Sequence, residues 1–284
     1  MAPKAAILAV MTTGTAMADE TTELAKEGQT QAQATFLSLE NIPFLILAGG
    51  KGSRLGDLSK DIPKAMIDIG GEPFIAHVLR LLKREGVSRV VLLVEHFAKQ
   101  IEDYVRDGAG FGLTVSYSRD GESDLGTGGA VKKALDLVDQ DLAVMYGDTY
   151  LDISMPTVYT AFKSSGLGAM MALLENNNQW APSNVEFDEV QGKVLKYDKK
   201  KPTSNMRFID YGLSFFSRDS LESHCKNLKK TSFDMGELFK AMAKRKELGG
   251  FAVNRRFYDI GTIENMIETR AYLSQNNLWQ NLEQ

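Results

Sequence analysis

Cysteine is nearly absent from this 284-residue chain, where Cys225 stands alone. A single thiol excludes an intrachain disulfide framework and a cysteine-based metal site, and it reads as a small structural hydrophobe. Histidine is equally scarce: His77, His96 and His224 make no ligand spacing for zinc. No apolar run is long enough to span a bilayer, so no membrane partner is expected. An excess of positive charge is missing too. The 33 Lys and Arg against 37 Asp and Glu leave a net charge of −4, which disfavours nucleic acid as a partner. Internal repeats and low-complexity linkers are absent. The remaining balance, 43% hydrophobic and 25% charged, is that of an ordinary globular protein with enough length to bury a sizeable core.

The first 41 residues stand apart. Lys4, the apolar Ala5–Met11 and Ala16-Met17-Ala18 imitate a secretory leader, but Thr12, Thr13, Gly14 and Thr15 interrupt the apolar core. Glu20–Gln33 is polar and poor in large apolar residues. Residues 1–41 are therefore read as a mobile or leader-like extension, with a cytoplasmic location expected. Residues 42–275 read as one continuous domain and 276–284 as a tail.

From Ile42 onward short apolar runs alternate with amphipathic stretches. Phe44–Leu47, Arg89–Val94, Leu113–Tyr117 and Leu142–Tyr146 read as strands. Pro73–Glu85, Ala98–Arg106 and Gly129–Val138 read as the helices between them. Such alternation predicts a parallel sheet wound by right-handed crossovers, with ligands beyond the carboxyl ends of the strands. The glycine cluster after Leu47 and Asp148 after Tyr146 then open onto one crevice. In the second half, Ala169–Leu174, a hairpin of Val185–Phe187 and Val194–Tyr197, Phe208–Phe216 and Phe251–Arg255 read as strands. Phe233–Arg245 and Ile263–Leu273 read as helices.

Leu47-Ala48-Gly49-Gly50-Lys51-Gly52-Ser53-Arg54-Leu55 follows the first strand. Glycines let backbone N–H groups approach a phosphate chain, and Arg54 adds a fork of charged donors. Two familiar loops are excluded by spacing. Leu55 occupies the place of the third glycine in a dinucleotide fingerprint, and Gly52, not Ser or Thr, follows Gly50-Lys51. Pro63-Lys64 presents a compact cation from a stiff segment.

The combination Gly49-Gly50-x-Gly52-x-Arg54-Leu55…Pro63-Lys64 resembles the opening signature of the sugar-phosphate nucleotidyltransferase family. Leu125-Gly126-Thr127-Gly128-Gly129-Ala130, Gly147-Asp148, Tyr197-Asp198-Lys199 and Tyr258-Asp259-Ile260-Gly261-Thr262 resemble its later segments in the same order. Within the family, the run is similar to the bacterial branch acting on mannose-like, heptose-like or amino-sugar 1-phosphates.

The resemblance implies an α/β fold: a doubly wound, mostly parallel (mixed) sheet, Rossmann-like, with a small sugar-side β insertion. It implies an enzyme that joins an NTP to a sugar 1-phosphate and releases pyrophosphate, with Mg²⁺ as cofactor and GDP-linked mannose- or heptose-type sugars as candidates. Arg54 and Lys64 are the candidate catalytic residues. Leu47, Ala48, Gly49, Gly50, Gly52, Ser53, Gly126, Thr127 and Gly128 would hold the nucleotide. Asn184, Asp198, Lys199, Asp210 and Gly212 would hold the sugar phosphate, and Asp148 and Asp259 the metal. Glu122 or Asp124 is a candidate for the amino group of guanine or cytosine.

The chemistry agrees. An in-line displacement at the α-phosphorus brings anions together, so positioning and charge neutralisation carry catalysis. The chain departs from the family pattern on the sugar side, at Ser183-Asn184 and at Asp210-Tyr211-Gly212, which leaves the acceptor open. Two other readings remain: a cytidylyltransferase for a small phosphorylated alcohol, and a non-catalytic nucleotide-sugar sensor. Base, sugar and homo-oligomeric state are open.

Overall fold

The computed structural model describes residues 36–50, 52–121 and 124–276, apart from the side chains of Ser53, Arg54 and Asp57. The leader-like segment up to residue 35, the tail beyond Asn276 and Glu122 lie outside the described residues. Residues 36–41, read as the end of the extension, are described, and Leu39 is buried in the core.

The first half forms where the apolar periods place it. Strands β1 (Phe44–Leu47), β2 (Arg89–Val94) and β3 (Thr114–Arg119) alternate with helices α1 (Phe74–Arg84) and α2 (Ala98–Val105). Helix α3 (Gly126–Ala134) then leads to β4 (Leu142–Tyr146). Successive side chains of β1 point to opposite faces: Phe44 and Ile46 enter one apolar core, Leu45 the other. The sheet is thus covered on both sides, the condition for parallel strands that read as continuous apolar runs.

The second half begins with a two-residue strand β5 (Thr149–Tyr150) and helix α4 (Met155–Ser165), then β6 (Ala169–Glu175). The hairpin β7 (Val185–Asp188) and β8 (Lys193–Tyr197) leads to β9 (Phe208–Phe216), buried along its whole length. Helices α5 (Arg218–Asn227) and α6 (Met235–Lys244), strands β10 (Leu248–Val253) and β11 (Tyr258–Asp259), and helix α7 (Ile263–Gln275) complete the described chain.

Nine strands form one sheet in the order β3-β2-β1-β4-β9-β6-β10-β8-β7. Parallel pairing runs from β3 to β4 and recurs between β6 and β10. Strand β9 lies between β4 and β6, antiparallel to both. The sheet is therefore mixed to a greater degree than the sequence suggests. The reason is connectivity: β9 is reached through a hairpin, not a crossover helix, so it is free to run against its neighbours. The β7–β8 hairpin is the small β insertion that was expected.

Two helices escape the apolar period. Helix α5 buries only Leu221, His224 and Cys225, and α4 begins at Met155-Pro156 behind Ser154. Strand β10 starts at Leu248, three residues earlier than the apolar run suggests. The added residues include Gly249 and Gly250, and a side chain at Gly250 would sit 2.5 Å from the ring of Phe187, so the strand needs the gap.

Candidate active site

The order β3-β2-β1-β4 reverses direction between β1 and β4, and the crevice that opens at such a reversal lies beyond the strands' carboxyl ends. Both loops singled out in the sequence begin there. After Leu47 the chain turns through Ala48-Gly49-Gly50. Gly52 adopts φ +63°, and a Cβ there would lie 2.8 Å from Ser59 Cβ, while Ser59 Oγ donates to the Gly52 carbonyl at 2.7 Å. No other residue fits that fold-back. The Lys64 N–H donates to the Gly50 carbonyl at 3.4 Å, which ties Pro63-Lys64 to the glycine turn.

Lys64 is 7% exposed, an unusual burial for an ammonium. Its Nζ donates to Asp148 Oδ2 at 2.6 Å. A buried charge needs such a partner, because desolvation alone would cost several kcal/mol. Asp148 itself keeps about 38% of its side chain exposed at the mouth of the crevice.

Asp259 reaches the same place through the β5–β11 ribbon, where it pairs with Thr149, and the Ile260 N–H donates to the Asp148 carbonyl at 3.1 Å. Asn265 Nδ2 lies 2.9 Å from both Asp259 carboxylate oxygens, and the Gly261 N–H donates to Oδ1 at 2.6 Å. A Cβ on Gly261 would stand 2.7 Å from Asp259 Oδ1 and 3.6 Å from Lys64 Nζ, so the turn after Asp259 runs close to the Lys64 ammonium.

A cavity of about 420 Å³ extends from this charged end. Leu47, Ala48, Gly49, Gly50, Lys64 and Asp148 line the near part. Gly126 and Thr127, with Glu95, Asp120 and Asp124, line the far part. Glu95 and Asp120 directly follow β2 and β3 and were not singled out in the sequence. The available signal was their place after a parallel strand, the same rule that selected Asp148. Asp120 Oδ1 is buried and accepts no hydrogen bond among the described residues. Burial, then the charge of Glu95, push its carboxyl up to about 6, against the pull of Lys133.

Other candidates have different surroundings. Gly128 does not line the cavity; its N–H donates to the Phe233 carbonyl at 2.8 Å, and a Cβ would meet the Phe233 ring at 2.4 Å. Its bareness serves helix packing. Arg54 and Ser53 lie in a 3₁₀ turn at Ser53–Ser59, and their side chains fall outside the described residues.

Asn184, Asp198, Lys199, Asp210 and Gly212 do not line this cavity, and all but the Asp198 side chain are joined to one another. The Asp210 N–H donates to Asn184 Oδ1 at 3.1 Å, and the Gly212 N–H to Asp210 Oδ1 at 3.0 Å. Lys199 Nζ stands 3.8 Å from Asp210 Oδ2. Asp198 faces away, toward Lys240 Nζ at 2.7 Å, and this bond, with the N–H groups of Lys201 and Lys200, pulls its carboxyl down to about 2. Trp180 and Tyr258 flank the Arg256 guanidinium, with ring centres at 5.3 and 4.8 Å.

Among the described residues no cluster of three or more His, Cys, Asp or Glu could hold a metal unaided. A glycine turn, a buried lysine and two carboxylates joined by the β5–β11 ribbon are groups of the kind that suit a phosphate chain. This is the class of α/β protein that handles nucleotides.

Comparison with known proteins narrows the class. The nucleotidyl transferase family model matches residues 44–276, and the chain belongs to that family; it is a nucleotidyltransferase. A D-glycero-alpha-D-manno-heptose 1-phosphate guanylyltransferase of Campylobacter jejuni is 30% identical over 221 residues, 78% of this chain and 95% of the relative. The crystal structure of HddC from Yersinia pseudotuberculosis complexed with GMP-PN matches with a TM-score of 0.65 at 25% identity, covering 82% of this chain and 99% of the other. A Bacillus anthracis protein solved in complex with a sucrose, 18% identical, shares the fold with a TM-score of 0.71 over 81% of this chain and 94% of its own.

Proposed function

We propose that this chain transfers a guanylyl group from GTP to a mannose- or heptose-type sugar 1-phosphate, releasing pyrophosphate in the cytoplasm. The observation that carries the reaction type is the Lys64–Asp148 pair at 2.6 Å beside the glycine turn, with Asp259 brought alongside by the β5–β11 ribbon. Backbone N–H groups of residues 48–50, with Arg54, would hold the triphosphate. Lys64 would neutralise charge near the α-phosphorus, and the sugar phosphate oxygen would attack directly, so no protein nucleophile is needed.

Asp148 and Asp259 suit Mg²⁺, an ion usually held by one or two carboxylates, with substrate phosphate oxygens and water filling its remaining positions. When bound, it would neutralise developing charge on the phosphates. The guanine preference rests on Asp120. A carboxylate pairs with the adjacent N1–H and N2–H₂ donors of guanine, whereas adenine offers an acceptor at N1 and uracil a single donor between carbonyls. The heptose or mannose acceptor is supported by the names of the relatives.

The decisive assay follows pyrophosphate release with a panel of NTPs and sugar 1-phosphates. Turnover should be greatest with GTP, vanish in EDTA and return with excess Mg²⁺. Asp148→Asn should lower kcat about a hundredfold or more, the scale of losing one preorganised charge contact. Full activity in that variant would remove the metal role from Asp148.

A further inference from the structure

Helix α7 is turned against part of its own hydrophobicity. Ile263 and Ile267, one turn apart, are 53% and 65% exposed. Met266 and Leu273 pack on the core, but between them the inward side carries Asn265 and Thr269, also one turn apart. Turning an asparagine and a threonine inward while two isoleucines face water costs free energy unless the polar groups find partners. Both find the same residue, Asp259 on β11.

The two contacts differ in kind. Thr269 is fully buried, and its hydroxyl donates to the Asp259 backbone carbonyl at 2.7 Å. Asn265 Nδ2 donates to both carboxylate oxygens, at 2.9 Å each. Thr269 thus ties down the backbone of Asp259, and Asn265 its side chain. Asn265 is itself held where α7 begins, because its N–H donates to the side chain of the N-cap residue Thr262 at 3.2 Å.

The lone pairs of the carboxylate are unevenly used. An ionised carboxylate only accepts, so Asn265 must meet it with the amide nitrogen. Oδ1 receives that nitrogen and also the Gly261 N–H at 2.6 Å, which takes up both of its lone pairs. Oδ2 receives only the shared amide among the described residues and keeps a lone pair in reserve. One oxygen is spent within the protein and the other is left for a ligand. Mg²⁺ demands a near-octahedral shell, which single oxygens from separate groups meet.

We propose that Asn265 is a positioning residue for the metal site, its amide holding the Asp259 carboxylate so that Oδ1 is occupied and Oδ2 stays open to the cation. This rests on the reading that Asp148 and Asp259 hold Mg²⁺. The test reads metal binding rather than turnover. Mn²⁺ replaces Mg²⁺, and the free ion is followed by electron paramagnetic resonance with GTP present, full-length protein in excess over nucleotide and no sugar phosphate. Asn265→Leu, which keeps the bulk and removes the donors, and Asn265→Ala should each raise the Mn²⁺ Kd about tenfold or more, the usual loss when an outer partner of a metal ligand is removed. Thr269→Val removes only the bond to the Asp259 carbonyl. It should lower the thermal midpoint and leave the Kd within about twofold.

An equal rise in Kd for Thr269→Val would mean that α7 merely anchors β11, which overturns the role of the amide. An unchanged Kd in both Asn265 variants overturns it as well. A Kd that neither Asp148→Asn nor Asp259→Asn raises defeats the metal reading itself. A Kd raised by Asp259→Asn but indifferent to both Asn265 variants defeats this inference alone.

Discussion

Single side chains in this molecule take their meaning from burial more than from type. Cys225 is buried, its thiol pushed up to about 11 by desolvation, and it is an inert packing group, as its isolation in the sequence suggested. Asp120 shows the opposite outcome: a residue with no motif around it becomes a poised acceptor because burial and Glu95 raise its carboxyl to about 6. If it reads guanine, preference for GTP over UTP should fall as pH drops below about 6. UTP serves as the control for phosphate protonation. Asp120→Asn should lose roughly ten- to a hundredfold of that preference at pH 8, the value of a charged hydrogen bond, and should abolish its pH dependence.

The same shift carries a stability sign. Because the folded pKa lies above the unfolded one of about 3.9, ionising Asp120 works against the fold. Its stabilising effect is complete below that unfolded value and is lost as pH rises through about 6. Asp120→Asn, which mimics the neutral form, should therefore unfold later than wild type at pH 8, and the gap should close toward pH 4. A gap that widens in acid would contradict the assignment.

Elements show where glycine belongs to chemistry and where to packing. Gly126-Thr127-Gly128-Gly129 resembles a nucleotide segment as a block, yet only its first two residues line the cavity. Gly128 and Gly129 admit the segment before α6, where Thr231 to Phe233 pass close by. The Cβ of an alanine at Gly128 would meet Phe233 ring atoms at 2.4 Å. Alanine favours the helix by about 1 kcal/mol, but such overpacking costs about 1–3 kcal/mol. Gly128→Ala should thus be net destabilising in urea unfolding, with the KM for GTP little changed in the folded fraction. A loss of GTP binding without a loss of stability would return Gly128 to the nucleotide site. The second half was harder to read at this scale because α5 is mostly solvated and β10 has two glycines after its first residue, so neither carries the period that marks its type.

Across the whole molecule, β9 is the member that joins the two halves. It separates β4 from β6, and its Phe215 and Phe216 point into opposite cores. Phe215 meets the rings of Phe44, Tyr159 and Phe162 at 5.9, 5.2 and 6.3 Å. Phe215→Ala should cost about 3–5 kcal/mol, the range for emptying a fully buried aromatic site. It should weaken the fold without altering base preference, because among the described residues none that lines the cavity makes a polar contact with that ring cluster. Among the described residues no helix is long and apolar enough to cross a membrane.

By itself the sequence determined the alternation of strands and helices in the first half, the glycine turn, Lys64 and the two aspartates, because those features are local: apolar period, backbone freedom and residue spacing are written along the chain. Tertiary structure decided what meets what. Lys64 and Asp148 are 84 positions apart and Asp148 and Asp259 farther still, and only strand pairing brings them together. Asp120 and Glu95 gained their surroundings the same way, at the ends of neighbouring parallel strands. Desolvation and charge coupling depend on distance in space, and no reading of neighbours in sequence contains that distance.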